Sequence, residues 1–295
     1  MDPTLKSRII SALKADIDSL SPQQRMAAKY VLDHPADFGL DPIRDTAGKA
    51  GVSTYTFVKM AKKLGFSGFE QLRDPFRHAL VSSTESMVEP DWMDELRNSG
   101  DLGSIYADTT KNTLAIVTKS LERQRLEDLE QVVDTLLSAE NVYLTAVRSS
   151  YAIAYYLHYV GRMALPTLQL VPRHMNSAID ELNDARPGDV LIAITITPYS
   201  RETVQACEFA RKKGVKLILI TDSEVVSPRL KPEFTLVASV ISTHYFGCFT
   251  GMLGLIELLI ALLVHRSGDA ARARIRSYEQ LRKENNAYWA APKKH

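Results

Sequence analysis

Cysteine is almost missing from this chain: Cys207 and Cys248 are the only two in 295 residues. Two isolated thiols exclude a disulfide framework and a cysteine-built metal cluster, and they fit a reducing cytoplasm. A dominant charge is missing too, since 36 Lys and Arg stand against 35 Asp and Glu for a net charge of +1. Any affinity for a polyanion must therefore come from a local patch. The opening MDPTLKSRII has neither the charged head nor the long apolar core of a signal peptide. No metal-ligand spacing or nucleophile elbow occurs, so no catalytic residue, metal or cofactor is expected. Internal repeats and low-complexity tracts are lacking as well. Long apolar runs are limited to Phe246–Val264, nearly enough to cross a bilayer. That run holds Glu257 and three glycines, and an ionised carboxylate at membrane depth is costly. It reads as a buried core or subunit-interface helix, with no membrane partner.

The first 80 residues read as wholly helical. Thr4–Leu20 and Pro22–Leu32 are amphipathic, with Ser21 as N-cap and Pro22 at the first helical position; His34-Pro35 ends the second. Ile43–Ala50 is followed by Gly51, suited to the positive φ that ends a helix sharply. Ser53 then caps a helix running to about Leu64. Phe57, Met60, Ala61 and Leu64 fall on its inner side, and Tyr55, Thr56, Lys59, Lys62 and Lys63 on its outer side. A further helix is expected over Phe69–Leu80. From Lys49 to Arg77 six basic residues meet two acidic ones, a local excess that suits a phosphate backbone. Helix, glycine turn and basic second helix together are the layout of a helix-turn-helix that reads a DNA major groove. A solvated lysine face on an ordinary surface helix is the plainer alternative.

Val81–Gly103, rich in Ser, Glu, Asp and Gly, reads as a connector, and Ile105–Ser120 and Leu126–Ser138 as helices. Beyond Asn141 strands alternate with helices. The strands are expected at Asn141–Ala146, Thr167–Val171, Asp189–Ile196, Val215–Thr221 and Phe234–Ala238. The helices between are expected at Ser150–Met163, Asn176–Ala185, Arg201–Lys213 and Phe246–Val264. Runs such as LIAITI and KLILIT are apolar on both faces, as inner strands of a parallel sheet require. The fold class is therefore α/β: an all-α helix-turn-helix domain over 1–80, a linker over 81–103, a doubly wound parallel-sheet domain over 104–266, and a helical tail over 267–295.

Ligands of such sheets bind beyond the carboxyl ends of the strands. Arg148-Ser149-Ser150 follows the first strand and Thr195-Ile196-Thr197-Pro198-Tyr199-Ser200-Arg201 the third; both open helices. Thr221-Asp222-Ser223 follows the fourth. Hydroxyls and an Arg at a helix N-terminus suit a phosphate, sulfate or carboxylate. The alternative makes Ser150 and Ser200 plain N-caps and the arginines surface ion-pair partners. His158 and His265 read as structural or surface residues. Arg173-His174 follows the second strand, where pocket and loop-surface roles are equally open. Glu257 reads as hydrogen-bonded in an interface rather than as a general base.

Across both halves the chain resembles the RpiR/MurR family of bacterial transcription regulators, which join a helix-turn-helix domain to a SIS (sugar isomerase) domain. The resemblance rests on LSPQQRMAAKYVLDHP and AGVSTYTFVKMAKKLGFSGFEQLR in the first half. In the second it rests on VYLTAVRSSYAIAYYLHY, ITPYSRETVQACEFARKKGVKLILITDS and the last apolar helix. It implies a double-stranded operator, a small anionic metabolite such as a phosphorylated sugar as effector, and a homodimer or homotetramer. Ser53, Thr54, Tyr55, Thr56, Lys59, Lys62 and Lys63 are then the DNA-binding set, and Arg148, Ser149, Ser150, Thr195, Thr197, Ser200 and Arg201 the effector-binding set. Two loops depart from the family. Its Gly-x-Gly-x-Ser is replaced by Ala146-Val147-Arg148-Ser149-Ser150, without the glycine that lets backbone curl around a phosphate, and Pro198-Tyr199 stands where Ser-Gly is usual. An acid other than a hexose phosphate fits these changes. The competing readings are a sugar-phosphate isomerase and a metabolite-sensing regulator of an enzyme that binds no DNA.

Overall fold

The computed structural model describes residues 5–82, 91–174, 176–244 and 246–289. The chain forms two compact units: Met1–Lys111 with Asp222–Arg229, and Asn112–Thr221 with Leu230–His295.

The first unit holds α1 (Leu5–Asp16), α2 (Pro22–Asp33), α3 (Pro35–Leu40), α4 (Ile43–Ala50), α5 (Thr54–Lys63), α6 (Phe69–Ser82) and α7 (Asp91–Arg97). A capping box starts α2: the Ser21 hydroxyl accepts from Gln24 N–H and the Gln24 side chain accepts from Ser21 N–H. His34-Pro35 ends α2 as expected, but it also begins α3, which the sequence reading lacks. Proline fits there because the N–H it lacks would have no helical partner at the first position. This short helix carries Phe38, fully buried between Phe57, Phe69 and Phe76. Phe69 and Phe76 meet the Phe38 ring edge-on at 5.5 and 4.9 Å, the favoured arrangement for aromatic pairs.

The expected 81–103 connector is partly helical. Residues 83–90 lie outside the described residues, but α7 covers Asp91–Arg97 with Met93 buried, and α8 (Asp101–Glu122) starts within it. An Asp in the first turn of each matches the helix dipole. The chain passes from the first unit to the second inside α8, between Lys111 and Asn112, and returns to the first for Asp222–Arg229.

The second unit follows α9 (Leu126–Ser138) with β1 (Val142–Thr145), α10 (Ser149–Gly161), β2 (Leu168–Val171), α11 (Ala178–Glu181) and β3 (Val190–Thr195). Then come α12 (Arg201–Lys212), β4 (Lys216–Thr221), β5 (Phe234–Val237) and α13 (Thr250–Glu284). The Asn176–Ala185 helix is reduced to the single turn of α11 and a 3-10 turn over Leu182–Asp184. All five strands are parallel in the order β2-β1-β3-β4-β5. Every residue of β1 and β3 is buried, as central strands covered on both faces must be. The apolar run at the start of α13 is long enough to cross a membrane. Its Met252, Leu255, Ile256, Leu259, Ile260 and Leu263 instead pack into the α/β core. Gly268, at φ 56° and ψ −129°, breaks α13 into two helical stretches.

Candidate functional site

The turn before α5 is built as its residues dictate. Gly51 ends α4 at φ 66°, the left-handed region where a Cβ is strained. Ser53 is the N-cap of α5, and its hydroxyl accepts the Thr56 N–H at 3.2 Å. Phe57, Met60 and Ala61 are fully buried in the helical core. Thr56 corrects the sequence reading. It is not on the outer face but only 8% exposed, with its hydroxyl 2.9 Å from that of Ser53. It stands one residue, or about 100°, around the helix from Tyr55, far enough to turn it toward the core. Ser53, Thr54, Tyr55, Lys59, Lys62 and Lys63 are exposed.

Tyr55, Lys59 and Lys62 follow the i, i+4, i+7 spacing of a single stripe. The Lys59 ammonium lies 4.8 Å from the Tyr55 ring centroid, a contact that orients both side chains. Lys63 reaches back instead, donating to the Ser19 hydroxyl at 3.1 Å. Ion pairing narrows the basic patch further. Lys49 sits between Asp41 at 2.7 Å and Asp37 at 3.4 Å, and the Asp41 hydrogen bond pushes its pKa upward. Arg73 pairs with Glu70 and Arg77 with Asp74. Among the described residues Lys59, Lys62 and Lys63 form no ion pair. The unneutralised charge of this stretch is thus concentrated on α5.

In the α/β unit the strand order turns at β1. From there the chain passes to β2 on one side, then returns to β3 on the other. Ligands of such sheets lie in the crevice at that reversal, beyond the carboxyl ends. The two expected loops meet this rule, because β1 and β3 are hydrogen-bonded neighbours: one loop follows β1 and opens α10, the other follows β3 and opens α12.

Neither loop matches the plain N-cap alternative. The residue before α10 is Arg148, which makes no side-chain cap bond, and Ser150 lies buried within the first turn. Ser200 precedes α12 but caps nothing; its hydroxyl donates to Glu202 at 2.9 Å and its N–H to the buried Thr195 hydroxyl at 3.4 Å. Both helices therefore start without a side-chain cap, leaving first-turn N–H groups to meet an anion at the positive end of each dipole. Arg148 and Arg201 are exposed and, among the described residues, form no ion pair.

Arg148 supplies what the missing glycine was expected to withhold. Its φ of 58° and ψ of −135° fall in a region that glycine visits freely and other residues reach at about 1–3 kcal/mol. The backbone makes the curl without the glycine. Thr197 is exposed and Tyr199 half-buried, flanking a cis Thr197–Pro198 peptide.

Sequence reasoning passed over Thr203. It lies in the first turn of α12, is 1% exposed, and its hydroxyl has no hydrogen-bond partner among the described residues. The signal was present as a threonine in the first turn of a helix that opens directly from the β3 loop. Arg173, by contrast, is tied to Glu181 at 2.7 Å. His158 is half-buried, and burial together with Arg162 lowers its pKa. Glu257 accepts a hydrogen bond from the Tyr156 hydroxyl, which raises the tyrosine pKa. No group of three or more His, Cys, Asp or Glu able to hold a metal occurs among the described residues.

Comparison with known proteins fits both halves. Residues 8–83 match the helix-turn-helix domain of the rpiR family, and residues 135–228 match the SIS domain. The chain is 26% identical over 275 residues to the uncharacterized helix-turn-helix-type transcriptional regulator YfhH of Escherichia coli K12, covering 90% of this chain and 95% of that one. It is 27% identical over 222 residues to the bifunctional protein glk of Burkholderia thailandensis, covering 74% of this chain but about a third, 33%, of that longer protein. Two solved structures share the fold at a TM-score of 0.55. One is the sugar isomerase domain of an RpiR transcription factor from Sphaerobacter thermophilus, 24% identical, which covers 60% of this chain and 98% of its own. The other is the Vibrio vulnificus NanR protein complexed with ManNAc-6P, 17% identical, which covers 94% of this chain and 98% of its own.

Proposed function

We propose, on the premise that the chain belongs to the rpiR family of DNA-binding transcriptional regulators and carries a SIS domain, that it is a cytoplasmic metabolite sensor. On this reading an anionic effector of the sugar-phosphate class sets its operator affinity. The observation that carries the sensor half is the pair of uncapped helix N-termini, each beside an unpaired arginine, on neighbouring strands at the strand-order reversal. Arg148, Ser149 and Ser150 hold one side of the effector; Thr195, Thr197, Ser200 and Arg201 hold the other, with Thr203 beneath. The ManNAc-6P held by the Vibrio vulnificus protein makes an acylated amino-sugar phosphate a first candidate. The domain acts here as a sensor rather than a catalyst.

On the DNA side, Tyr55 and Thr54 approach base edges from the start of α5, while Ser53, Lys59 and Lys62 hold phosphates and Lys63 reinforces the field. Thr56 supports the helix from within. The protein works as a homodimer or homotetramer, which places two reader helices on a palindromic operator. Three tyrosines exposed at four-residue intervals on α10, Tyr151, Tyr155 and Tyr159, provide a face for that association.

Two measurements test the reading. Fluorescence anisotropy with the DNA upstream of the protein's own gene should give specific, salt-dependent binding. Lys59→Ala with Lys62→Ala should lower the log–log salt slope by about two, and an unchanged slope removes α5 from the interface. Thermal shift against phosphorylated sugars and small organic acids should find a stabilising ligand. Stabilisation that survives both Arg148→Ala and Arg201→Ala moves the effector elsewhere.

A further inference from the structure

The second half of α8, with Gln124 just past its end, carries a ladder of polar side chains that neither the DNA-reading nor the effector set uses. Asn112 Nδ2 donates to the Ile241 carbonyl at 3.0 Å. Ser120 Oγ accepts the Ser239 N–H at 2.9 Å while donating to the Ile116 carbonyl at 2.6 Å. Gln124 Nε2 donates to the Val237 carbonyl at 2.9 Å. The partners on the other side are every second residue of one extended segment, running from the end of β5 toward α13. Asn112 and Ser120 share one i+4 ridge of α8, and Gln124 is tied to its end by donating to the Ser120 carbonyl at 2.6 Å. Buried Ser120 anchors the middle, and Gly251 at the start of α13 leaves no slack there: a Cβ on it would lie 2.4 Å from Ser120 Oγ and 2.8 Å from the Ser239 carbonyl oxygen.

The same segment abuts the β3 loop. Its continuation closes on itself through Cys248 N–H to the Val240 carbonyl at 2.9 Å. This sets Gly247 so tightly against Ile196 that an added Cβ would lie 2.8 Å from Ile196 Cδ1. Ile196 stands between Thr195 and Thr197. A shift of the β3 loop on taking up an anion would therefore reach Gly247 through the Ile196 side chain, and packed contacts of this kind pass displacement on. Beyond the ladder α8 is one unbroken helix, whose residues up to Lys111 belong to the helical unit.

We infer that Asn112, Ser120 and Gln124 are positioning residues that make operator affinity respond to the effector, by coupling the 237–241 segment to α8. The inference rests on the reading of the protein as an effector-responsive DNA-binding regulator. Both ends must then differ in affinity between two arrangements of this element.

The test compares the full chain with Asn112→Ala/Gln124→Ala, with Ser120→Ala, and with Lys119→Ala as a control on the exposed face of α8. Operator binding is read by fluorescence anisotropy with and without N-acetylmannosamine 6-phosphate, glucose 6-phosphate or inorganic phosphate, and effector binding by thermal shift. Wild type and Lys119→Ala should show operator affinity changed about 5- to 150-fold by at least one probe, the range usual for allosteric coupling. In the double variant that ratio should fall to within about twofold of one, while thermal stabilisation by the same probe and operator binding without it both persist. A double variant that responds like wild type overturns the coupling role and leaves the regulator reading standing. A wild type whose operator affinity none of the probes alters overturns both. Ser120→Ala separates coupling from scaffolding: loss of response at an unchanged melting temperature supports the inference, and a preserved response counts against it.

Discussion

At the scale of single residues, Arg148 carries the sharpest expectation, because its backbone and its side chain pull on different observables. Its φ of 58° is strained for any residue but glycine. Arg148→Gly should raise the unfolding free energy by about 1 kcal/mol while removing the guanidinium. Arg148→Ala removes the guanidinium and keeps the strain, so urea melts of the two variants should separate although both weaken the effector. Equal stability in the two would show that the backbone relaxes elsewhere. Cys207 offers a second check. Burial pushes its thiol pKa up to about 12 from an ordinary value of 9. Because the folded value is raised, the associated stability is complete below pH 9 and is lost as pH rises from 9 toward 12, at most about 1.4 kcal/mol per pH unit. Urea melts at pH 8 and 10 should show that loss in wild type and less of it in Cys207→Ala. A thiol reagent should label half-exposed Cys248 quickly and buried Cys207 only on unfolding. The sequence made Ser53 legible as a cap because a hydroxyl before an amphipathic run has few other uses. Thr56 was misplaced for the same reason: a hydroxyl reads as outward-facing until its partner is known, and here the partner is the cap itself.

At the scale of elements, two glycines separate entropy from packing. Gly48 lies inside α4 with nothing within 4 Å of the position a Cβ would take. Gly48→Ala should therefore stabilise the protein by about 0.5–1 kcal/mol. Gly251 faces Ser120 and two carbonyl oxygens at 2.4–2.9 Å, so Gly251→Ala should destabilise by about 1–3 kcal/mol. Thermal melts of the two variants should move in opposite directions, and a shift of the same sign would contradict the packing described around α8. The strands were readable in the sequence to within about a residue because LIAITI and KLILIT have no other way to bury both faces. Elements shorter than two helical turns were not. With six residues after a proline, α3 shows no periodicity, yet it brings Phe38 to the centre of the aromatic core. In the expected connector, charged residues hid α7, whose only fully buried side chain is Met93.

At the scale of the whole molecule, light scattering should give two or four times the single-chain mass. Tyr155→Glu, on the exposed tyrosine stripe of α10, should lower it; a mass unaffected by that charge places the association face elsewhere. Placing the candidate anion site at one end of the sheet needed only the alternation of strands and helices, because every crossover between parallel strands leaves from the same, carboxyl end of the sheet. Which residues of those loops are uncapped, unpaired or buried was beyond the sequence, since each depends on neighbours far away along the chain. One of the three places where the chain passes between the units lies inside α8, between Lys111 and Asn112, in the middle of a 22-residue helix; the other two flank Asp222–Arg229. Unfolding of either unit removes support from a helix that continues into the other, so heat should undo the two in overlapping transitions. At that crossing a protease should meet helix rather than an extended strap.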